Sequence, residues 1–199
     1  MKKIYLYAVA ITLAFASCDV NDEQAQESMD YQSKTTSQAQ VDVATLYKDL
    51  IHTYNAPAVM TNPIALASFQ DHALNNAVFR SIAKEQDYNA INISEFETVL
   101  SSDTSLINTF SYRSIVKSYI LRIIDGEYNL NSVITNDVNL TKDERVFLIN
   151  CYLVSNSTSD GTPNNWKKSK TIAFAYGHQK SLAQAIILAG AVEILNNQI

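Results

Sequence analysis

From residue 41 onward, apolar residues recur every three or four positions, the spacing of one buried helix face. Val43, Leu46, Tyr47, Leu50, Ile51 and Tyr54 form the first stripe, and Pro57 ends it. Asn62-Pro63 is a start signal, because proline at the first helical position gives up an N–H that has no partner there anyway. The helix it opens is expected to bury Ile64, Leu66, Phe69, Val78, Phe79 and Ile82. Ser94-Glu95-Phe96-Glu97 and Thr141-Lys142-Asp143-Glu144 both have the spacing of a capping box, in which a hydroxyl and an acid satisfy each other's orphan backbone N–H groups. They open helices carrying Phe96, Val99 and Leu100 in one case, and Val146, Ile149 and Leu153 in the other.

Between those boxes, Phe110 to Ile124 carries Ile115, Val116, Tyr119, Ile120, Ile123 and Ile124. Asp125-Gly126 follows, where glycine suits a left-handed helix end. Val133-Ile134 is too short to read as a strand, and Asn156 to Asn165 is the clearest loop. Trp166 to Tyr176 resumes helical spacing and Gly177 is expected to break it. The run Leu182 to Leu195 has the length of a core helix rather than of a membrane span, with Gln184 and Glu193 expected on its wet side. The pattern predicts an all-α fold: a single compact bundle of about six or seven helices over residues 41–199, with no internal repeat.

Composition narrows the classes further. The 199 residues are 47% hydrophobic, enough for a self-sufficient core, and include only 4 Gly and 3 Pro. So few turn formers argue against sandwiches, barrels and glycine-rich repeats. Asp19 to Gln40 is rich in Gln, Ser, Asp and Glu and nearly devoid of large apolar side chains, so it is expected to form a disordered tether.

Ahead of the tether, Lys2 and Lys3 precede an apolar stretch from Ile4 to Phe15, broken only by Thr12 and too short to span a bilayer. Small residues Ala16 and Ser17 then lead to Cys18. The run Phe15-Ala16-Ser17-Cys18 resembles the lipobox of bacterial lipoproteins, with Phe15 where Leu, Val or Ile is usual. The resemblance implies cleavage before Cys18, acylation of its thiol (palmitate among the chains) and a membrane anchor. The division expected is then a signal peptide at 1–17, a lipidated Cys and tether at 18–40, and the helical domain at 41–199. Asp19-Val20-Asn21-Asp22-Glu23 looks like a surface-export signal of some Gram-negative lipoproteins, which points to the outer membrane; in other bacteria an Asp after the Cys retains the protein at the inner membrane. Ala14-Phe15-Ala16 also fits ordinary cleavage before Ser17, which would leave Cys18 and Cys151 free to pair.

Loss of Lys2 and Lys3 takes the basic residues from 15 to 13 against 20 acidic ones, and the net charge from −5 to −7. That balance disfavours nucleic acid as a partner, since phosphates are bound by clustered Lys and Arg. The expected partners are the membrane, through acyl chains on Cys18, and an envelope protein or glycan.

Candidate chemistry is sparse. His52, His72 and His178 lack metal-ligand spacing, no G-x-S-x-G elbow or phosphate loop occurs, and Cys151 lies in an apolar run that suits a buried, inert thiol. No catalytic residue, metal or cofactor is therefore expected. Tyr47, Tyr54, Tyr119 and Tyr152 fall on apolar stripes, whereas Tyr31, Tyr88 and Tyr128 lie where a partner could reach them. Trp166, Lys167, Lys168, Lys170 and Lys180, with His178, gather positive charge in an acidic chain and form the candidate interface. The reading is a non-catalytic, lipid-anchored interaction domain. The alternatives are an envelope hydrolase whose site assembles only on folding, and a membrane-active or inhibitory secreted protein using residues 166–195.

Overall fold

A computed structural model describes residues 42–157 and 164–197, and among them the fold is all-helical. The expected lipidation site Cys18, the tether, Tyr31 and most of the Asn156–Asn165 loop lie outside the described residues. Nine α-helices are present among the described residues: α1 (Val43–Thr53), α2 (Asn62–Asn75), α3 (Ala77–Glu85), α4 (Ile93–Ser101), α5 (Ser114–Ile124), α6 (Leu130–Asn136), α7 (Lys142–Ser155), α8 (Asn164–His178) and α9 (Leu182–Asn196). A short 3-10 helix, Thr104–Thr109, precedes α5. The extra elements relative to six or seven come from breaks that a hydrophobic stripe does not show.

The helix opened by Asn62-Pro63 stops at Asn75, and Asn76 starts α3 by accepting from the backbone N–H groups of Val78 and Phe79. Ile64 and Val78 face outward, so neither joins the core expected of them, while Leu66, Phe69, Phe79 and Ile82 do. α4 begins two residues earlier than expected. Asn92 rather than Ser94 is its cap, accepting from the Glu95 N–H, and Ser94 donates its own hydroxyl to Asn92. Thr141 and Glu144 do form the expected capping box at the start of α7. Phe110 lies outside the helix its stripe suggested, because the 3-10 turn ends there and α5 starts at Ser114. Gly126 closes α5 at φ +76°, the left-handed geometry glycine tolerates best. Val133-Ile134 belongs to the short helix α6.

α9 is the axis of the bundle. Every residue from Ala183 to Ile194 is buried, and α8, α2, α1 and α3 all pack against it. A helix that is apolar all round is stable in water only when other helices cover it. The cover here comes from amphipathic stripes such as Val43, Leu46, Tyr47 and Leu50 of α1 and Phe69 of α2. Two sequence expectations are overturned on this axis. Gln184 and Glu193 do not mark a wet side, since both are buried. Gly177 does not break α8, which runs on to His178; the missing side chain instead lets α8 approach the backbone of Ala185, 2.6 Å from where a Cβ would lie.

Candidate functional site at the ends of α8 and α9

Antiparallel packing of α8 on α9, joined by the short turn at Gln179–Ser181, brings the first turns of α8 beside the last turns of α9. Lys170 and Glu193 meet there, with side chains only 3% and 5% exposed and Nζ 3.2 Å from Oε2. Tyr47 reaches in from α1 and donates its hydroxyl to the same oxygen at 2.6 Å, and its ring lies 5.8 Å from the Lys170 ammonium. Lys170 also donates to Ser157 Oγ at 3.3 Å, just after α7. One buried carboxylate thus ties α1, the end of α7, α8 and α9 together.

Burial drives the electrostatics of this cluster. Desolvation, helped by the adjacent Glu193 carboxylate, raises the Tyr47 phenol well above its ordinary pKa and keeps it a neutral donor. Desolvation also lowers the Lys170 ammonium, with Glu193 opposing that shift and holding the charge. A buried charge of this kind survives only when paired and hydrogen-bonded, and here it is both.

The cluster borders a small pocket lined by Trp166, Lys167, Lys170, Glu193, Asn196 and Asn197. The whole pocket has room for about one water-sized group. Partial burial lowers the Lys167 ammonium, whose Nζ also lies 3.7 Å from the position of a side chain at Gly126. The structure therefore brings Trp166, Lys167 and Lys170 of the candidate interface to one place. It does not bring Lys180 there: that ammonium pairs with Glu95 of α4 at 2.5 Å. The charge of Lys168 helps lower the Asp103 carboxyl ahead of the 3-10 helix, after the larger contribution of hydrogen bonding to Ser105. Sequence reading took the four lysines as one patch, whereas the fold sets Lys168 and Lys180 apart from Lys167 and Lys170. It missed Tyr47, Glu193, Asn196 and Asn197 as partners, because nothing local in the sequence sets α1 and the end of α9 beside α8.

The other candidate groups are spent on structure. His178 lies among Tyr112, Phe147 and Phe174, with its ring centre 4.3 Å from that of Phe147 and its Nδ1 3.2 Å from the Tyr112 hydroxyl. Since that hydroxyl donates to the Ala175 carbonyl, Nδ1 is the side of the imidazole that donates. Burial pulls His178 down to about 4. His72 Nε2 sits 3.0 Å from the Leu50 carbonyl and 3.2 Å from Thr53 Oγ1, bracing α2 on α1. His52 is exposed in the last turn of α1. Cys151 is fully buried, and desolvation pushes its thiol up to about 12.

Tyr47 and Tyr119 are buried with their hydroxyls on carboxylates, and Tyr54 and Tyr152 are half-buried. Tyr88 is half-buried and bonded to Gln70, while Tyr128 is 90% exposed. Among the described residues no group of three or more His, Cys, Asp and Glu could hold a metal ion, and no helix is long and apolar enough to cross a membrane. Comparison of the chain with protein families, curated proteins and solved structures found no match.

Proposed function

We propose that this chain is a lipid-anchored protein of the cell envelope, at the outer membrane of a Gram-negative bacterium, whose helical domain is a non-catalytic interaction module. The observation that carries this reading is the run from Lys2 to Cys18: two cations, an apolar stretch, two small residues and a cysteine, followed by the polar spacer composition of residues 19–40. Acylation at more than one position gives lasting attachment, which a single chain does not. The partner of the domain is an envelope protein or a glycan.

The folded domain adds a defined helical scaffold to the reading. Its buried polar groups Tyr47, Lys170, Glu193, Ser155 and Thr171 spend hydrogen bonds on one another and so fix how the helices meet. A fixed scaffold presents a surface at low entropic cost, which favours a binding role. Growth with an alkyne-tagged palmitate followed by membrane fractionation tests the anchor. Label on the membrane-associated chain, lost in Cys18→Ala, is the expected result; label retained in Cys18→Ala, or no label in either, counts against it. Cross-linking of the anchored chain in intact cells then identifies the envelope partner.

A further inference from the structure

We propose that, in the anchored protein, the end of the bundle carrying Tyr128 and Trp166 lies against the head groups of the bilayer. The inference rests on the anchor proposed above and adds which face of the domain meets the membrane.

Connectivity and contacts together define this end. Tyr47, in the second turn of α1, reaches Glu193 in the last turn of α9. Helical side chains lean toward their own N-terminus, so the start of α1 lies beside the end of α9. The first turns of α8 join them through Lys170. The Lys167 ammonium lies 3.7 Å from the position of a side chain at Gly126, which adds the end of α5. Residues 19–41 therefore connect Cys18 to the domain at this end. Their polar composition gives an expected span of about 25 Å. α9 has 15 residues and is about 22 Å long, so the opposite end starts that much farther from the anchor.

Side-chain chemistry separates the two ends. Tyr128, just beyond Gly126, is 90% exposed, and Trp166 is half-buried in the first turn of α8. A ring with a polar tip suits the head-group region, where one side is apolar and the other wet. Charge does not oppose the contact. Arg122 pairs with Glu127 and Lys170 with Glu193, while Lys167 and Lys168 offset Asp42 and Asp125. With those charges cancelled, the rings rather than attraction to anionic lipid decide the docking. At the opposite end, Gln86 accepts from the Ala183 N–H at the start of α9, and Gln86, Asp87, Asn89 and Lys180 face solvent. Tyr88 there is half-buried and donates to Gln70.

Trp166 is the single Trp of the chain, so its emission reports on this end alone. The full chain, extracted with its acyl chains, is reconstituted in phosphatidylcholine vesicles with and without a nitroxide on the lipid head group. In parallel, the Cys18 thiol of unacylated chain is coupled to a maleimide lipid in the same vesicles. Cys151 is fully buried, so the coupling is specific. The expected result in both arms is loss of Trp166 emission to the nitroxide, unchanged when phosphatidylglycerol is added. Tyr128→Ala should reduce that loss, and Tyr128→Phe should keep it. A sole Trp at the opposite end, made by Trp166→Phe with Asn89→Trp, should keep its emission. Quenching in the coupled chain, with no attachment of the native one, refutes the anchor and still supports the docking face. Vesicle-bound chain with unquenched Trp166 overturns the proposal. So does equal quenching of the Asn89→Trp reporter, quenching that needs phosphatidylglycerol, or quenching that Tyr128→Ala leaves intact.

Discussion

The ring of Phe69 occupies the space that a side chain at Gly190 would need. A Cβ there would lie 2.0 Å from Cε1 and 2.1 Å from Cζ, so α2 and α9 meet as closely as they do only because residue 190 has none. Inside a helix, Gly→Ala ordinarily gains about 1 kcal/mol from propensity. Here the clash outweighs it, and Gly190→Ala is expected to destabilise the fold by about 1–3 kcal/mol. Denaturant unfolding measures the loss. Phe69→Leu in the same chain should recover part of it, since a smaller side chain vacates the contested space; simple additivity of the two losses would contradict the contact.

The buried carboxylate gives a second prediction. Removing one member of a buried ion pair strands the other, at a cost of about 3–5 kcal/mol. Glu193→Ala should therefore destabilise strongly, because Lys170 is left 2% exposed with Ser157 as its remaining partner. Replacing both charges, as Lys170→Met with Glu193→Leu, should cost less than Glu193→Ala alone. Tyr47→Phe removes one hydrogen bond to a charged group and should cost about 1.5–3 kcal/mol. A double replacement less stable than the single one would show that the ion pair is net stabilising instead of merely self-compensating.

Acid should weaken the domain in two windows. His178 titrates near 4 in the folded chain and near 6.5 when unfolded. Between those values the unfolded state binds a proton that the folded state refuses, so stability falls as pH drops through the window and is flat above it. The loss by pH 4 is on the order of 3 kcal/mol. Glu144 titrates near 2 in the fold because the Arg113 guanidinium lies beside it, so its contribution is complete above about 4.5 and is lost as pH falls toward 2. Denaturant midpoints from pH 7.5 down to 3 should show the first decline in wild type and a flattened one in His178→Gln. An unchanged profile in that variant would assign the decline to other groups.

Cys151 should be inert in the fold. Full burial and a thiol pushed up to about 12 leave almost no thiolate to react at neutral pH. A maleimide probe should label it only as fast as the domain opens, with labelling rising sharply in denaturant. Prompt labelling under native conditions would mean that α7 leaves its place between α5 and α8.

The helices with clear apolar stripes were legible in the sequence, and so was the central role of α9, because a 14-residue apolar run has few alternatives to burial. Punctuation was less so. Gly177 reads as a breaker by propensity, yet it sits inside α8 because the close approach of Ala185 rewards the absence of a side chain. Asn76 looks like an ordinary helical residue until its side chain is seen capping α3. Of the pocket, Trp166, Lys167 and Lys170 were visible as a cluster of charge beside the lone Trp. Tyr47 and Glu193 were not, since the three-way contact joins residues 146 positions apart and Glu193 reads locally as a solvent marker.

The measurement that bears most directly on the proposed function is the intact mass of the protein extracted from its native membrane, beside a Cys18→Ala control. The account expects a chain beginning at Cys18 and carrying acyl chains, with that species absent from the control. An unmodified chain beginning at Ser17 would contradict it and describe a secreted protein, with Cys18 free to pair with Cys151.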